Sequence, residues 1–288
     1  MANRKRRSNK TFLITLSVIT LFIICLGGCV KKKENKPTEA PLETLPKYGV
    51  FIGVNPDRLQ QFAEYDIVVI DAEYYSKEDI DEIHKNGTIV YTYLNVGSLE
   101  DFRSFYKSYK HLSLGKYDNW PSEYWMDVSD SSWQNHLQAQ AGILVEKGVD
   151  GFFIDNVDVY YQYQTKKIFN GLVTILSKLN EYDKEIIING GDVFVTEAII
   201  KPKAPIVQIT GVNQECVFTS IDFDNRKLII QNFEDTSYYQ KYLEQCEDKE
   251  LSVYLLEYSD NNDSLAKITE HCDKHGFNYY ISSTIDLQ

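Results

Sequence analysis

From Lys47 onward the chain alternates two patterns. Short runs that are apolar or β-branched almost throughout, such as IVVI (67–70), GFFI (151–154) and EIII (185–188), are separated by amphipathic or polar stretches of helical length. A run without apolar/polar alternation predicts a strand buried on both faces, as in a parallel sheet. Strands are expected at Tyr48–Ile52, Asp66–Ile70, Thr88–Leu94, Tyr124–Val128, Gly151–Ile154, Glu185–Ile188, Ile206–Ile209, Ser252–Leu256 and Asn278–Ser282. Helices are expected over Ser76–Lys85, Ser131–Glu146, Thr165–Leu179 and Ser264–His275. Each opens near a Ser, Thr, Asn or Asp able to accept from the free N–H groups of a first turn, Asp130 before Ser131 being one.

Strand and helix in alternation over about 240 residues are the pattern of an α/β chain folded as a (β/α)8 TIM barrel. Nine strand candidates compete for eight places, so one terminal strand is expected to be an addition. A doubly wound open sheet is the alternative. No GxGxxG or GxxxxGK[ST] loop follows the first strand, which excludes nucleotide binding of those kinds.

Residues 1–28 have the layout of an export signal: a basic start (Arg4, Lys5, Arg6, Arg7, Lys10), an apolar run from Phe12 to Leu26, then Leu26-Gly27-Gly28-Cys29. The tetrapeptide resembles a lipobox, which implies cleavage before Cys29 and acylation of its thiol. An uncleaved anchor helix is the alternative, but the apolar run is short against the roughly 20 residues of a membrane span. Residues 29–46 hold three prolines and no aromatic residue, the composition of a solvated tether. The domain at 47–288 is therefore expected to act outside the cytoplasm, tied to the membrane by lipid.

Charge changes the picture of partners. The chain carries a formal charge of −12, and loss of residues 1–28 leaves 25 basic against 42 acidic side chains, or −17. Such a surface repels nucleic acid and attracts a polycation. Cys216, Cys246 and Cys272 are too few and too irregular for a disulfide framework, although one bridge remains open. Neither CxxC nor HExxH occurs, so no metal and no cofactor is expected. A monomer is expected.

In a barrel of this kind the chemistry sits where strands end. Here those positions are acidic or amide: Asp71, Asn95, Asp127 and Asp130, Asp155 and Asp158, Asn189 and Asp192, Glu215, and Glu257. Each alone is more readily a helix cap. Gathered in one mouth they would raise one another's pKa values and split a pair into a proton donor and an ionised partner, as cleavage of an acetal requires. Aromatic residues beside these segments, among them Tyr74, Tyr75, Tyr91, Tyr93, Trp120, Trp125, Tyr160, Tyr161 and Tyr258, suit sugar rings and ammonium groups. Core packing is the competing reading, strongest for Tyr91 and Tyr93 inside a strand.

The segments YDIVVID (65–71), IVYTYLNVGSLEDFR (89–103), WPSEYWMDVSD (120–130), GVDGFFIDNVDVY (148–160), IIINGGD (186–192), NQECVFT (213–219) and VYLLEYSD (253–260) resemble, in order, glycoside hydrolase family 114, the endo-α-1,4-polygalactosaminidases. The resemblance implies a barrel that hydrolyses a galactosamine-containing polysaccharide, cationic where deacetylated, with Asp155 after the fifth strand and Glu215 after the seventh as catalytic pair. Asp155 would be the nucleophile, or the base in an inverting enzyme, held ionised by Asn156 and Asn189. Glu215, near Val217 and Phe218, would be the acid. Asp71, Tyr93, Asn95, Asp127, Asn156, Asp158, Asn189, Glu257 and Tyr258 are expected to contact substrate, with Glu257 or Asp158 as alternative members of the pair. Asn213 and Gln214 are polar where the strand before Glu215 should be apolar. Two other classes stay open: a lipid-anchored sugar-binding barrel without turnover, and a non-enzymatic envelope factor.

Overall fold

The structure is a computed structural model that describes residues 45–201 and 207–288. The export segment, Cys29 and most of the tether lie outside the described residues. In chain order the strands are β1 (Tyr48–Phe51), β2 (Ile67–Ile70), β3 (Ile89–Asn95), β4 (Ser98–Glu100), β5 (Ser113–Lys116) and β6 (Glu123–Met126). There follow β7 (Gly151–Asp155), β8 (Glu185–Asn189), β9 (Gly211–Glu215), β10 (Thr219–Asp222), β11 (Lys227–Ile230), β12 (Ser252–Tyr258) and β13 (Asn278–Ser282).

Eight of them form one parallel sheet in the order β1, β2, β3, β7, β8, β9, β12, β13. The sheet curls until its edges meet. Phe51 packs on Tyr280 with ring centroids 5.2 Å apart, and the Gly53 N–H donates to the Leu287 carbonyl at 3.2 Å. This is the (β/α)8 barrel that the apolar runs imply, nearly closed.

The surplus candidate is not a terminal strand. Tyr124–Val128 falls largely on β6, which lies between β4 and β5 in a small antiparallel sheet inserted after β3. Its Trp125 stacks on Tyr117 at 4.1 Å, so an aromatic run that reads as barrel strand is spent on local packing. Of the expected strand Ile206–Ile209, Ile206 lies outside the described residues and 207–209 precede the strand, which begins at Gly211. Asp155 and Glu215 consequently end the fourth and sixth barrel strands, not the fifth and seventh.

Strand parity sorts the side chains into two layers. On β7, Phe152 and Ile154 face the helices and Phe153 the barrel axis; on β8, Ile186 and Ile188 face out and Ile187 in. The axis holds Tyr48, Val50, Val69, Tyr91, Phe153, Ile187, Tyr254 and Leu256. Around it, the helix Lys166–Asn180 buries Ile168, Leu172, Ile175, Leu176 and Leu179 along one face, each contributing about 1.5–3 kcal/mol. Thr165 caps that helix, Ser76 forms a capping box with Asp79, and Asp130 accepts from the Ser132 N–H at 2.8 Å.

Two insertions follow strand ends and so stand over the same end of the barrel: the β4–β6–β5 sheet and the β10–β11 hairpin. They meet where Trp120 touches Phe223, centroids 5.8 Å apart. Gly97, in the turn entering the first insertion, lies so close to Asn156 that an added Cβ would stand 1.6 Å from its carbonyl oxygen.

Candidate active site

Asp155, Asn189 and Glu215 end three adjacent strands, β7, β8 and β9, and each has the inward parity of Phe153 and Ile187. Parity and order bring one amide between two carboxyls. The Nδ2 of Asn189 donates to Asp155 Oδ1 at 2.9 Å and to Glu215 Oε1 at 2.7 Å. The residue after each takes positive φ: Asn156 at 62°, Gly190 at 62° and Cys216 at 57°. The chain thus turns away at one level on all three strands. Asn and Gly accept that conformation readily, whereas Cys216 stores strain of order 1 kcal/mol.

Neutral donors complete the pair. Asn156 Nδ2 reaches Asp155 Oδ2 at 3.2 Å, and the Tyr258 hydroxyl donates to Glu215 Oε2 at 2.8 Å. Tyr93 stands beside Asp155, its hydroxyl 3.3 Å from Glu100 Oε1. Burial, then the charge of Glu215, raises Asp155 to about 6. Burial also raises Glu215. The pair therefore keeps a proton above the usual carboxylate range. Burial raises both Tyr93 and Tyr258 well above 10, so they remain donors.

Two further carboxyls face this centre. Asp158 accepts from the Gly191 N–H with both oxygens, and burial, then Asp155 and Asp192, raises it to about 7. Glu123 comes from β6 and accepts from Ser98 Oγ at 2.6 Å; burial raises it to about 7, against that hydrogen bond and with the charges of Glu100 and Asp155. Among the described residues no basic side chain is ion-paired to Asp155, Asp158, Glu123 or Glu215. No group of three His, Cys, Asp or Glu among them is arranged to hold a metal ion.

The other expected contacts do different work. Glu257 has outward parity on β12 and is fully buried, accepting from the N–H groups of Val217, Phe218 and Thr219 at 2.9, 3.0 and 3.0 Å. It holds the loop that follows Glu215 and does not reach the mouth. Asp71 caps the short turn Ala72–Tyr74 and pairs with Arg103 at 2.9 Å. Arg103 also binds Glu73 at 2.7 Å and Glu100 at 3.1 Å, and burial still lifts Asp71 to about 6. Asn95 closes the turn into β4 through Ser98, accepting from its N–H at 2.9 Å and donating to its Oγ at 2.8 Å. Asp127 lies outside the mouth, bound to Ser129 and to Lys167 at 2.7 Å. Although burial opposes it, these donors lower its pKa. Cys216, Cys246 and Cys272 are free thiols.

Glu123, Arg103 and Glu100 were not expected here, because they belong to the insertion after β3 and no barrel strand marks their place. The signal that could have found Arg103 is a lone basic residue in SLEDFR, next to two acids. A cavity of about 460 Å³ opens nearer β13, lined by Arg58, Ser259, Tyr280 and Gln288, among others. The paired carboxyls do not line it.

The sequence matches the glycoside-hydrolase family GH114 over residues 47–286. The structure is similar to the glycoside hydrolase domain of PelA from Pseudomonas aeruginosa, with a TM-score of 0.71 at 18% identity over 85% of this chain and 96% of that one. It is similar to Ega3 of Aspergillus fumigatus, solved in complex with galactosamine: TM-score 0.66, 16% identity, 87% and 96% coverage. The α-galactosidase TtGalA from Thermus thermophilus gives a TM-score of 0.56 at 9% identity, with 82% and 57% coverage. At such identities the likeness speaks for the barrel alone. An uncharacterized protein of Thermotoga maritima is 22% identical over 122 residues, a match spanning 38% of that relative's length.

Proposed function

The chain belongs to glycoside-hydrolase family GH114, and from that premise we propose that it cleaves an α-1,4-linked, galactosamine-containing polysaccharide outside the cytoplasm, with retention of configuration. The observation that carries the mechanism is the shared amide. Two carboxyl oxygens bound to one nitrogen at 2.9 and 2.7 Å stand at most about 5.6 Å apart. Retaining glycosidases hold their carboxyls roughly 5–5.5 Å apart, and inverting ones need roughly 6.5–9.5 Å to admit a water.

In this reading the Asp155 carboxylate attacks the anomeric carbon as the glycosidic C–O bond breaks. The departing oxygen keeps the bonding electrons and takes the proton of Glu215. Water then adds to the same carbon, gives its proton to the Glu215 carboxylate, and Asp155 leaves ionised. Two side chains donate to each carboxyl, Asn156 and Asn189 to Asp155 and Asn189 and Tyr258 to Glu215; the charged role goes to Asp155, whose ordinary pKa of 3.8 lies below the 4.5 of Glu215, although the charge of Glu215 itself raises Asp155.

The amino-sugar reading draws support from Ega3, solved with galactosamine, and from four mouth carboxyls without a basic partner, which an ammonium group would neutralise. The location rests on the sequence of residues 1–29, where the thiol of Cys29 would carry the lipid. Early time points of cleavage followed by ¹H NMR on polygalactosamine test the mechanism. The α-anomer of the new reducing end should appear first. A β-anomer first would contradict retention, and no new reducing end at all would contradict the substrate.

A further inference from the structure

The polar Asn213, unexpected in a barrel strand, lies directly below the catalytic pair. It is fully buried, and its Nδ2 donates to Asn189 Oδ1 at 2.6 Å. Its own Oδ1 accepts from the hydroxyl of Tyr48 at 3.1 Å. Tyr48 reaches across the barrel axis from β1, is itself buried, and packs on Tyr254 at 4.9 Å. Tyr48, Asn213, Asn189 and the two carboxyls therefore form one chain of hydrogen bonds, from the barrel axis to the mouth.

We propose that Asn213 and Tyr48 are positioning residues that lock the Asn189 amide in the sense that clamps Asp155 to Glu215. This rests on the reading of Asp155 and Glu215 as the working pair. An amide is nearly symmetric in shape and can sit in two senses differing only in which end donates. A carboxylate only accepts, so Asn189 must turn Nδ2 to the pair and its Oδ1 inward. That oxygen is buried and needs a donor. Asn213 supplies one, which commits its own Oδ1 to face Tyr48, and only the hydroxyl there can donate to it. The carboxylate end thus sets the sense of both amides, and the Tyr48 hydroxyl answers it by donating to the last oxygen of the relay.

In the reversed sense Asn189 would turn its oxygen to the Asp155 carboxylate and its Nδ2 to the Nδ2 of Asn213, losing one charge-assisted and one neutral hydrogen bond and gaining repulsion. The relay also explains the residue types. Leu or Val at 213 would suit the barrel packing and leave the Asn189 oxygen without a partner. Phe at 48 would keep the stacking on Tyr254 and release Asn213 to rotate.

Two variants separate positioning from packing. Asn213→Asp is close to isosteric, but the introduced carboxyl donates only while protonated. When ionised it forces Asn189 to turn its Nδ2 inward. Its turnover at pH 5 relative to pH 8 should exceed the wild-type ratio by about tenfold or more, with a wild-type circular dichroism spectrum. Tyr48→Phe, which keeps the ring, should raise the apparent pKa of Asp155 by roughly half a unit, because the donors that favour the ionised form are less well held. That pKa is read by ¹³C NMR of the carboxyl carbons in the free protein, assigned with Asp155→Asn, and needs no substrate. A wild-type pH ratio for Asn213→Asp together with an unmoved Asp155 titration in Tyr48→Phe would overturn the relay. Should Asn213→Asp fail to fold, the titration in Tyr48→Phe alone decides. Asp155→Asn with wild-type turnover would instead overturn the choice of the pair, an outcome the titration distinguishes.

Discussion

At the ends of β2 and β3, buried carboxyls gather round a cation: Arg103 binds Asp71, Glu73 and Glu100 within 3.1 Å and lies over the rings of Tyr74, Tyr93 and Phe102. At the ends of β7, β8 and β9, half-buried carboxyls gather round an amide, with a phenol and a second amide as further donors. The two sectors present the same sequence signature, an acid just after an apolar run. They differ in what answers the charge. A guanidinium stays charged and fixes the geometry of its carboxyls, Asp71 among them although burial lifts it to about 6, whereas neutral donors add no fixed charge and leave the pair to share a proton within the working range of pH. The partner, more than the position, separates the Arg103 scaffold from the proposed catalytic centre.

The largest effect that would sharpen this comparison is on stability. Arg103→Met leaves two buried carboxyls, Asp71 and Glu100, and the half-buried Glu73 without their cation, and unfolding in urea should show a loss of about 3–5 kcal/mol. Protein that remains folded should keep most of its turnover per site. A loss below about 1 kcal/mol would mean that the cluster is solvated and that the two sectors do not differ as described.

A smaller, pH-dependent effect is expected on the catalytic side. Glu123 is raised from 4.5 to about 7, chiefly by burial, so the folded chain binds its proton more tightly than the unfolded chain. That contribution to stability is complete below about pH 4.5 and is lost as pH rises through 7. Glu123→Gln should therefore stabilise the protein at pH 8 by roughly 1–3 kcal/mol and change it little at pH 4. Equal effects at both pH values would show that the Glu123 proton does not respond to its surroundings.

How far the sequence reveals this contrast can be judged residue by residue. IVVI, GFFI and EIII mark β2, β7 and β8 because both faces of those strands are covered by apolar atoms. The same rule misplaces the strand at β9, whose inward residues Gly211, Asn213 and Glu215 are small or polar and leave little apolar signal. It also takes β6 into the barrel, because aromatic side chains that pack on one another look like core. Glu257 follows an apolar run as Asp155 does, yet it lies one step off in parity and faces outward. One residue of register separates a loop support from a position at the mouth, and a sequence read without pairing carries no register. Arg103 and Glu123 arrive from an insertion whose place depends on tertiary packing.

The smallest effect concerns the insertions. Trp120 meets Phe223 across the mouth, so Trp120→Ala should raise the KM for polymer by roughly two- to tenfold, the scale of one aromatic contact, with little change in kcat. A change in kcat alone would place Trp120 closer to the chemistry than the contact between the two insertions does.

The most direct test is a side-by-side measurement of reducing ends released from polygalactosamine by the wild type, Asp155→Asn, Glu215→Gln and Asp71→Asn. On the proposed mechanism the first two variants each remove a group used in bond cleavage and should lose turnover by about a thousandfold or more while keeping the wild-type fold. Asp71→Asn removes one contact of Arg103 and should stay within about tenfold of the wild type. Near-normal turnover in Asp155→Asn and Glu215→Gln, with loss in Asp71→Asn, would contradict the account and move the catalytic centre to the Arg103 sector.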